Sequence, residues 1–214
     1  MDELHYTLLS DGPSDQALVP ILTWLLQQHV PNLPIQSRWA DLRRLRHPPK
    51  ELYERVRKSI EFFPCDLLFV HRDAETASLE ERLTEIKQAV MGTGIVNGVS
   101  TVICVVPVRM TEAWLLFDID AIRQAAGNPS GTVPLELHRL SDIESLPDPK
   151  GVLHKALRTA TQYRTHRMKR FDVNKAVQRV PEYIEDLSPL RSLPAFAALE
   201  QEVRRTVESR GWSN

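Results

Sequence analysis

Apolar positions along roughly the first 127 residues switch between two periods, one of two residues and one of three to four. His5 to Leu9 reads as a short strand, and Ala17, Leu18, Ile21, Leu22, Leu25 and Leu26 then recur at helical spacing to give one apolar face. Ser14 is placed to cap that helix, and Pro31 and Pro34 to stop it. Ile35 to Trp39 reads as a second strand, and Leu52, Val56 and Ile60 mark a second helix that ends before Pro64. Leu67 to Val70 is apolar on both faces, which predicts a central strand of a parallel sheet. Leu79, Leu83, Ile86 and Val90 supply a third helix that stops around Gly92 and Gly94; Thr101 to Val106 is a further buried strand, and Thr111 to Ala126 reads as a helix.

This alternation predicts an α/β fold of Rossmann type: a mainly parallel, doubly wound sheet flanked by helices, with right-handed crossovers. After Gly127-Asn128-Pro129-Ser130-Gly131 the strand signal fades. The expected organisation is therefore an α/β core over residues 1–129 and a mainly helical C-terminal elaboration over 130–214 packed on it. No internal repeat or low-complexity tract interrupts either part.

Composition narrows the function classes. A chain of 214 residues can bury a substantial core, and its net charge of −1 confines any attraction to nucleic acid to a local basic patch. No apolar run approaches the roughly 18 residues of a membrane span, and the N-terminus lacks a basic segment followed by an apolar one. A soluble cytoplasmic protein is the expectation. Cys65 and Cys104 lie in or near apolar runs without C-x-x-C spacing, which predicts reduced, buried thiols.

The candidate chemistry sits where strands end. Asp11 stands where the first strand gives way to Gly12-Pro13, and Asp73 and Glu75 follow the third strand. Ligands of open α/β sheets bind at the carboxyl ends of the strands, so neighbouring strands bring these carboxylates together. Crowded like charges need a cation, a shared proton or a basic neighbour, and hard oxygen donors without Cys or His partners favour Mg²⁺ or Mn²⁺, commonly shared with a phosphate substrate. Two residues apart in an extended segment, Asp73 and Glu75 project to the same side. Gly12 would let backbone approach a ligand closely. Asp15 is accounted for first by compensation of the helix dipole. Glu112, at the start of the helix after the fourth strand, belongs at the same edge as a further ligand or as the orienter of one. Trp114, followed by Leu115, Leu116 and Phe117, reads as core, and Asp118-Ile119-Asp120 as helical residues on different faces.

The order of strand, acidic turn with Gly, helix and later strand ending in an acid-x-acid pair resembles the TOPRIM domain of topoisomerases, primases and OLD-family nucleases. Leu9-Ser10-Asp11-Gly12-Pro13-Ser14-Asp15, Val108-Arg109-Met110-Thr111-Glu112-Ala113-Trp114-Leu115-Leu116 and Ser188-Pro189-Leu190-Arg191-Ser192-Leu193-Pro194-Ala195-Phe196 are similar to the TOPRIM-like family DUF 4276. The resemblance implies a Mg²⁺-dependent phosphodiesterase or nuclease. Asp11 would stand for the first-motif Glu, as a ligand or acid/base group, and Asp73 and Glu75 for the metal-holding Asp-x-Asp pair. It also implies a setting in bacterial antiviral defence beside an ATPase, which would be a separate partner because the sequence has no G-x-x-x-x-G-K-[ST] loop.

Substrate binding is expected from Lys155, Arg158, Arg164, Arg167, Lys169 and Arg170, within a stretch from Lys150 to Arg179 that also holds Lys175 and one acid, Asp172. Such a concentration of charge reads as a nucleic-acid backbone footprint or as a solvated or protein-docking face. A smaller basic group, Arg43, Arg44, Arg46, His47 and Lys50, precedes the second helix. Two other classes share the pattern of acids: a non-catalytic TOPRIM-like module that binds an ATPase or nucleic acid, and a phosphotransfer receiver. The receiver lacks its expected Lys at the end of a fifth strand.

Overall fold

A computed structural model describes residues 2–75, 77–93, 101–108 and 110–212; Gly94, read as part of a helix stop, and Arg109, in one of the family-like motifs, lie outside them. Strands β1 (Leu4–Leu9), β2 (Ile35–Trp39), β3 (Leu67–His71) and β4 (Thr101–Val105) form one parallel sheet in the order β2-β1-β3-β4. The register sets Leu8 opposite both Trp39 and Phe69, and Phe69 opposite Ile103. Side chains alternate between two buried clusters. Leu4, Tyr6, Leu8, Leu67, Phe69, Ile103 and Val105 face one, and Leu9, Leu68, Val70 and Cys104 the other. Covered on both sides, β3 is apolar at every position from Leu67 to Val70, whereas its neighbour β1 alternates in His5 and Thr7.

The helices follow from this order. The chain leaves β1 for the outer strand β2 through α1 (Leu18–His29), then crosses back to β3 through α2 (Leu52–Phe62) and on to β4 through α3 (Leu79–Gly92). Right-handed crossovers running in opposite directions place their helices on opposite faces. Accordingly α1 contributes Ile21, Leu22, Leu25 and Leu26 to the first cluster, while α2 and α3 contribute Val56 and Ile86 to the second. Both cysteines are buried.

Two local readings change. Ser14 does not cap α1: a 3₁₀ turn, Pro13–Ala17, comes first, entered through Gly12, and Asp15 Oδ2 accepts the Gly12 N–H at 2.9 Å. Thr111 to Ala126 is not one helix either. Thr111–Leu115 is a 3₁₀ segment with all five residues buried, and α4 (Ile119–Ala125) begins after it, capped by Asp118, whose Oδ1 accepts the Ala121 N–H. An amphipathic α-helix cannot bury five consecutive residues, and an Asp that bonds forward to the backbone starts a new helix instead of continuing the old one.

The C-terminal part comprises α5 (Pro149–Thr161), α6 (Thr165–Met168), α7 (Val173–Tyr183) and α8 (Pro194–Arg210). Leu153 and Leu157 of α5, Val177 and Val180 of α7, and Phe196, Leu199 and Val203 of α8 join the cluster that holds Tyr6 and Phe69. Trp114 and Phe196 meet edge to face at 5.3 Å. The fold is thus α/β and Rossmann-like with a helical C-terminus, and no described helix is long and apolar enough to cross a membrane. Since Phe196 is fully buried in that shared cluster, Phe196→Ala is expected to cost about 3–5 kcal/mol in urea denaturation while unfolding remains a single cooperative step. A separate early transition would show that the C-terminal helices are not part of one core.

Candidate functional site

The sheet order makes β1 and β3 neighbours whose outgoing connections diverge, and this is the crevice where open α/β sheets bind ligands. The loop after β1 carries Asp11 and Asp15, and β3 ends in His71 with Asp73 just beyond. Pairing with the β4 side continues past the strand, with Arg72 N–H donating to Val105 O and Ala74 N–H to Pro107 O. Asp73 then reaches the next segment: its Oδ1 accepts the Thr111 N–H at 2.9 Å and the Thr111 hydroxyl at 3.3 Å.

These bonds gather Asp15, His71 and Asp73 into a group with one ligand atom of each within 4.8 Å of the others. His71 is only 1% exposed; its Nε2 lies 2.9 Å from Thr111 Oγ1 and 3.4 Å from Asp73 Oδ1. With the Thr111 hydroxyl donating to Asp73, the imidazole carries its proton on Nε2 and leaves Nδ1, which is buried without a partner among the described residues. Asp15 is also buried, with Oδ1 accepting from Ser14 Oγ and Oδ2 from Gly12 N–H.

Burial governs the protonation of this group. The Asp73 carboxyl is pushed up to about 7, first by burial and then by the Asp15 and Glu112 carboxylates, with the Thr111 bonds opposing. Burial likewise pushes His71 below the usual imidazole value, against the pull of Asp15 and Asp11.

The other expected acids lie differently. Asp11 is in the same crevice but is held by two cations: Arg55 Nη1 at 2.6 Å and Arg72 Nη1 at 3.2 Å, with Arg55 Nη2 also donating to Ser10 O. Arg72 continues to Glu85 at 3.3 Å, Glu85 to Arg82 at 2.8 Å, and Arg82 to Glu75 at 3.7 Å. One ion-pair chain therefore runs from Arg55 through Asp11, Arg72, Glu85 and Arg82 to Glu75. The expectation that Glu75 projects beside Asp73 fails because Glu75 adopts a left-handed backbone, φ +52°, which turns its 61%-exposed side chain toward Arg82. Gly12 is extended at φ −149°, and Ser14 Oγ, at 3.8 Å, is the nearest protein atom to the place a Cβ would take. Glu112 is buried and meets Lys150 Nζ at 3.3 Å.

His71 escapes the sequence reading, which takes Asp15 first as a dipole-compensating acid and only second as a site residue. A His-x-Asp at the end of a buried strand was the available signal for His71. For Asp15, a dipole-compensating role hid the second one, and nothing local marks Thr111 as the anchor of Asp73.

The basic residues also divide. Lys150 belongs to the acidic edge, and Lys155 pairs with Glu136 at 2.7 Å. Arg158, Arg164 and Lys169 are exposed. Arg167 and Arg170 line a cavity with Lys175 and Arg179. Arg43 and Arg44 both bond to Asp41, at 2.7 and 3.0 Å.

Comparison with known families, curated proteins and solved structures finds no match to this chain.

The raised Asp73 value has a definite sign. The folded protein keeps a proton that the unfolded chain releases near pH 4, so the group stabilises at low pH and that contribution is lost as pH rises from about 4 to about 7. His71, held neutral, acts oppositely and lowers stability as pH falls below about 6.5. In chelator, Asp73→Asn should lose less thermal stability between pH 5 and pH 8 than the parent, because both share His71 and differ only in Asp73. Identical pH profiles would remove Asp73 as the titrating group.

Proposed function

We propose that this protein is a divalent-metal-dependent phosphodiesterase acting on nucleic acid, with Asp15, His71 and Asp73 as the group that holds the ion. The observation that carries this reading is their convergence at the crevice between β1 and β3, with Asp73 displaced to about 7 by burial and its acidic neighbours. A buried group in which one carboxylate ionises only near neutrality is short of positive charge, and a cation relieves the deficit. The donor set fits such an ion. Two carboxylates suit Mg²⁺ or Mn²⁺, and an imidazole shifts the preference from Mg²⁺, which favours an all-oxygen shell, toward Mn²⁺.

When bound, a divalent ion supplies polarisation of a phosphoryl oxygen and acidification of a coordinated water. Asp73 ionises only near neutral pH while no cation faces it, so the ion would be held by its carboxylate form and would bind more weakly as pH falls below about 7. The Oδ1 of Asp73 is engaged by both Thr111 donors, so the titrating proton belongs on Oδ2. His71 is oriented through Thr111, and Asp15 is fixed by Gly12 and Ser14. Arg55 and Arg72 place positive charge at the rim, where a substrate phosphate would otherwise be repelled by the acids. The ATPase partner and defence setting implied by the TOPRIM-like resemblance belong to this same proposal.

One observation favours the alternative of a non-catalytic module. Lys150 already sits on Glu112 and two arginines on Asp11, so part of the acidic edge carries built-in counter-ions. Metal titration and nuclease assay separate the two readings. Mn²⁺ should bind and raise the melting temperature, and the protein should cleave DNA or RNA in Mn²⁺ and stop with chelator. Asp73→Asn and Asp15→Asn should each lower cleavage by at least roughly 10²-fold, whereas Glu75→Gln should change it little. Mn²⁺ binding without cleavage of any nucleic acid would favour the module; cleavage that survives Asp73→Asn would sink the proposed chemistry.

A further inference from the structure

Outside the acidic crevice, a cavity of about 490 Å³ opens between the end of α4, the segment around α6 and the start of α7. Its floor is Ala125, Ala126 and Gly127, where no side chain exceeds a methyl group. Its walls carry Tyr163, Arg167, Arg170, Phe171, Lys175 and Arg179. The two rings meet edge to face at 6.2 Å, and the Arg167 guanidinium lies 4.0 Å over the Tyr163 ring. Arg179 is engaged with Tyr183, its guanidinium also lying 5.2 Å from that ring.

Charge gathers at this cavity, which Arg167, Arg170, Lys175 and Arg179 line together. Arg43, Arg44, Arg55, Arg72, Arg82 and Arg191 all face carboxylates. Among the described residues, no carboxylate lies within 4.0 Å of the charged groups of Arg167, Arg170 or Lys175. The single acid on the wall, Asp172, has Oδ1 turned to the Lys175 backbone N–H as the cap of α7. Unpaired cations beside stacked planar groups recognise a ligand that carries both phosphate and a flat ring. The volume is that of a small-ligand site, sufficient for one nucleotide and too small for a duplex.

The cavity also leads toward the acidic crevice. Lys175 and Arg179 line a second cavity of about 410 Å³ together with Gln16, next in the chain to Asp15. Gln178 Nε2 donates to Pro13 O at 2.9 Å and so fixes α7 against the loop that carries Asp15.

We propose that this cavity binds the terminal nucleotide of a single-stranded nucleic acid, with the base against the Tyr163–Arg167 pair and the phosphates on Arg170 and Lys175. The adjoining strand then runs past Lys175 toward the Asp15 loop. The proposal deepens the phosphodiesterase reading by naming a single-stranded end as its substrate; binding stands apart from that reading, and only cleavage of the bound strand rests on it.

The test is fluorescence anisotropy of the full chain with a short labelled oligo(dT) bearing a 5′-phosphate, in chelator so that the outcome is independent of metal chemistry. The single strand should bind more tightly than a blunt duplex of the same length. Arg170→Ala with Lys175→Ala should flatten the slope of log K against log salt by roughly 1.4 units, at about 0.7 per phosphate contact. Arg167→Ala, at an exposed position, should weaken binding by roughly 5- to 100-fold, the range of a lost base stack. Arg204→Ala with Arg205→Ala removes equal charge from exposed positions of α8 outside the cavity and should leave affinity nearly unchanged. Tighter duplex binding, or equal weakening by the outside pair, would overturn the proposal, as would an Arg167→Ala protein that binds like the parent.

Discussion

The adjacency of β1 and β3 is the constraint on which the site depends. Pairing Leu9 with Val70 brings the ends of two strands from opposite sides of a sixty-residue excursion to one point. A parallel pair cannot be closed by a hairpin, so the excursion must contain crossovers, and those crossovers cover both faces with helices. Covered faces remove water from the strand ends. The same desolvation that stabilises Phe69 and Leu8 therefore raises the cost of charge on Asp73 and His71.

The structure handles its acidic edge in two physically distinct ways. At the rim, Asp11, Glu85 and Glu75 alternate with Arg55, Arg72 and Arg82, and each carboxylate meets a guanidinium in partly solvated surroundings. Inside, Asp15, His71 and Asp73 share hydrogen bonds with Gly12, Ser14 and Thr111, and among the described residues no arginine pairs with them. Hydrogen bonds orient these groups without cancelling their charge, so Asp73 answers by keeping its proton to about pH 7. The rim network is neutralised by arginine, whereas the inner group lowers its charge by holding a proton.

The C-terminal helices serve both parts. Through Leu153, Val180 and Phe196 they complete the apolar cluster over one face of the sheet. Through Lys150 they reach Glu112, and through Gln178 they hold the loop of Asp15. Their basic residues sit in different surroundings: Lys155 of α5 pairs with Glu136, Arg164 just before α6 is exposed, and Arg170 between α6 and α7 lines a cavity.

What the chain determined by itself was everything that depends on local period. Leu67 to Val70 is apolar at every position and could only be a covered central strand, and the spacing from Leu18 to Leu26 could bury only one side of a helix. Trp114 was legible as core for the same reason. The break inside 111–126 was not, since the competing bond of Asp118 depends on how deeply Thr111–Leu115 is drawn inward. The crevice was legible as a place, and Asp73 as a member of it. Its other members were settled by tertiary structure alone. Asp11 lost its freedom to Arg55, forty-four residues away, and Glu75 turned aside on a left-handed residue, while Asp15 and His71 took the interior. A carboxylate pairs with whatever charge the fold brings within a few ångströms, and that distance is not written in the spacing of residues along the chain.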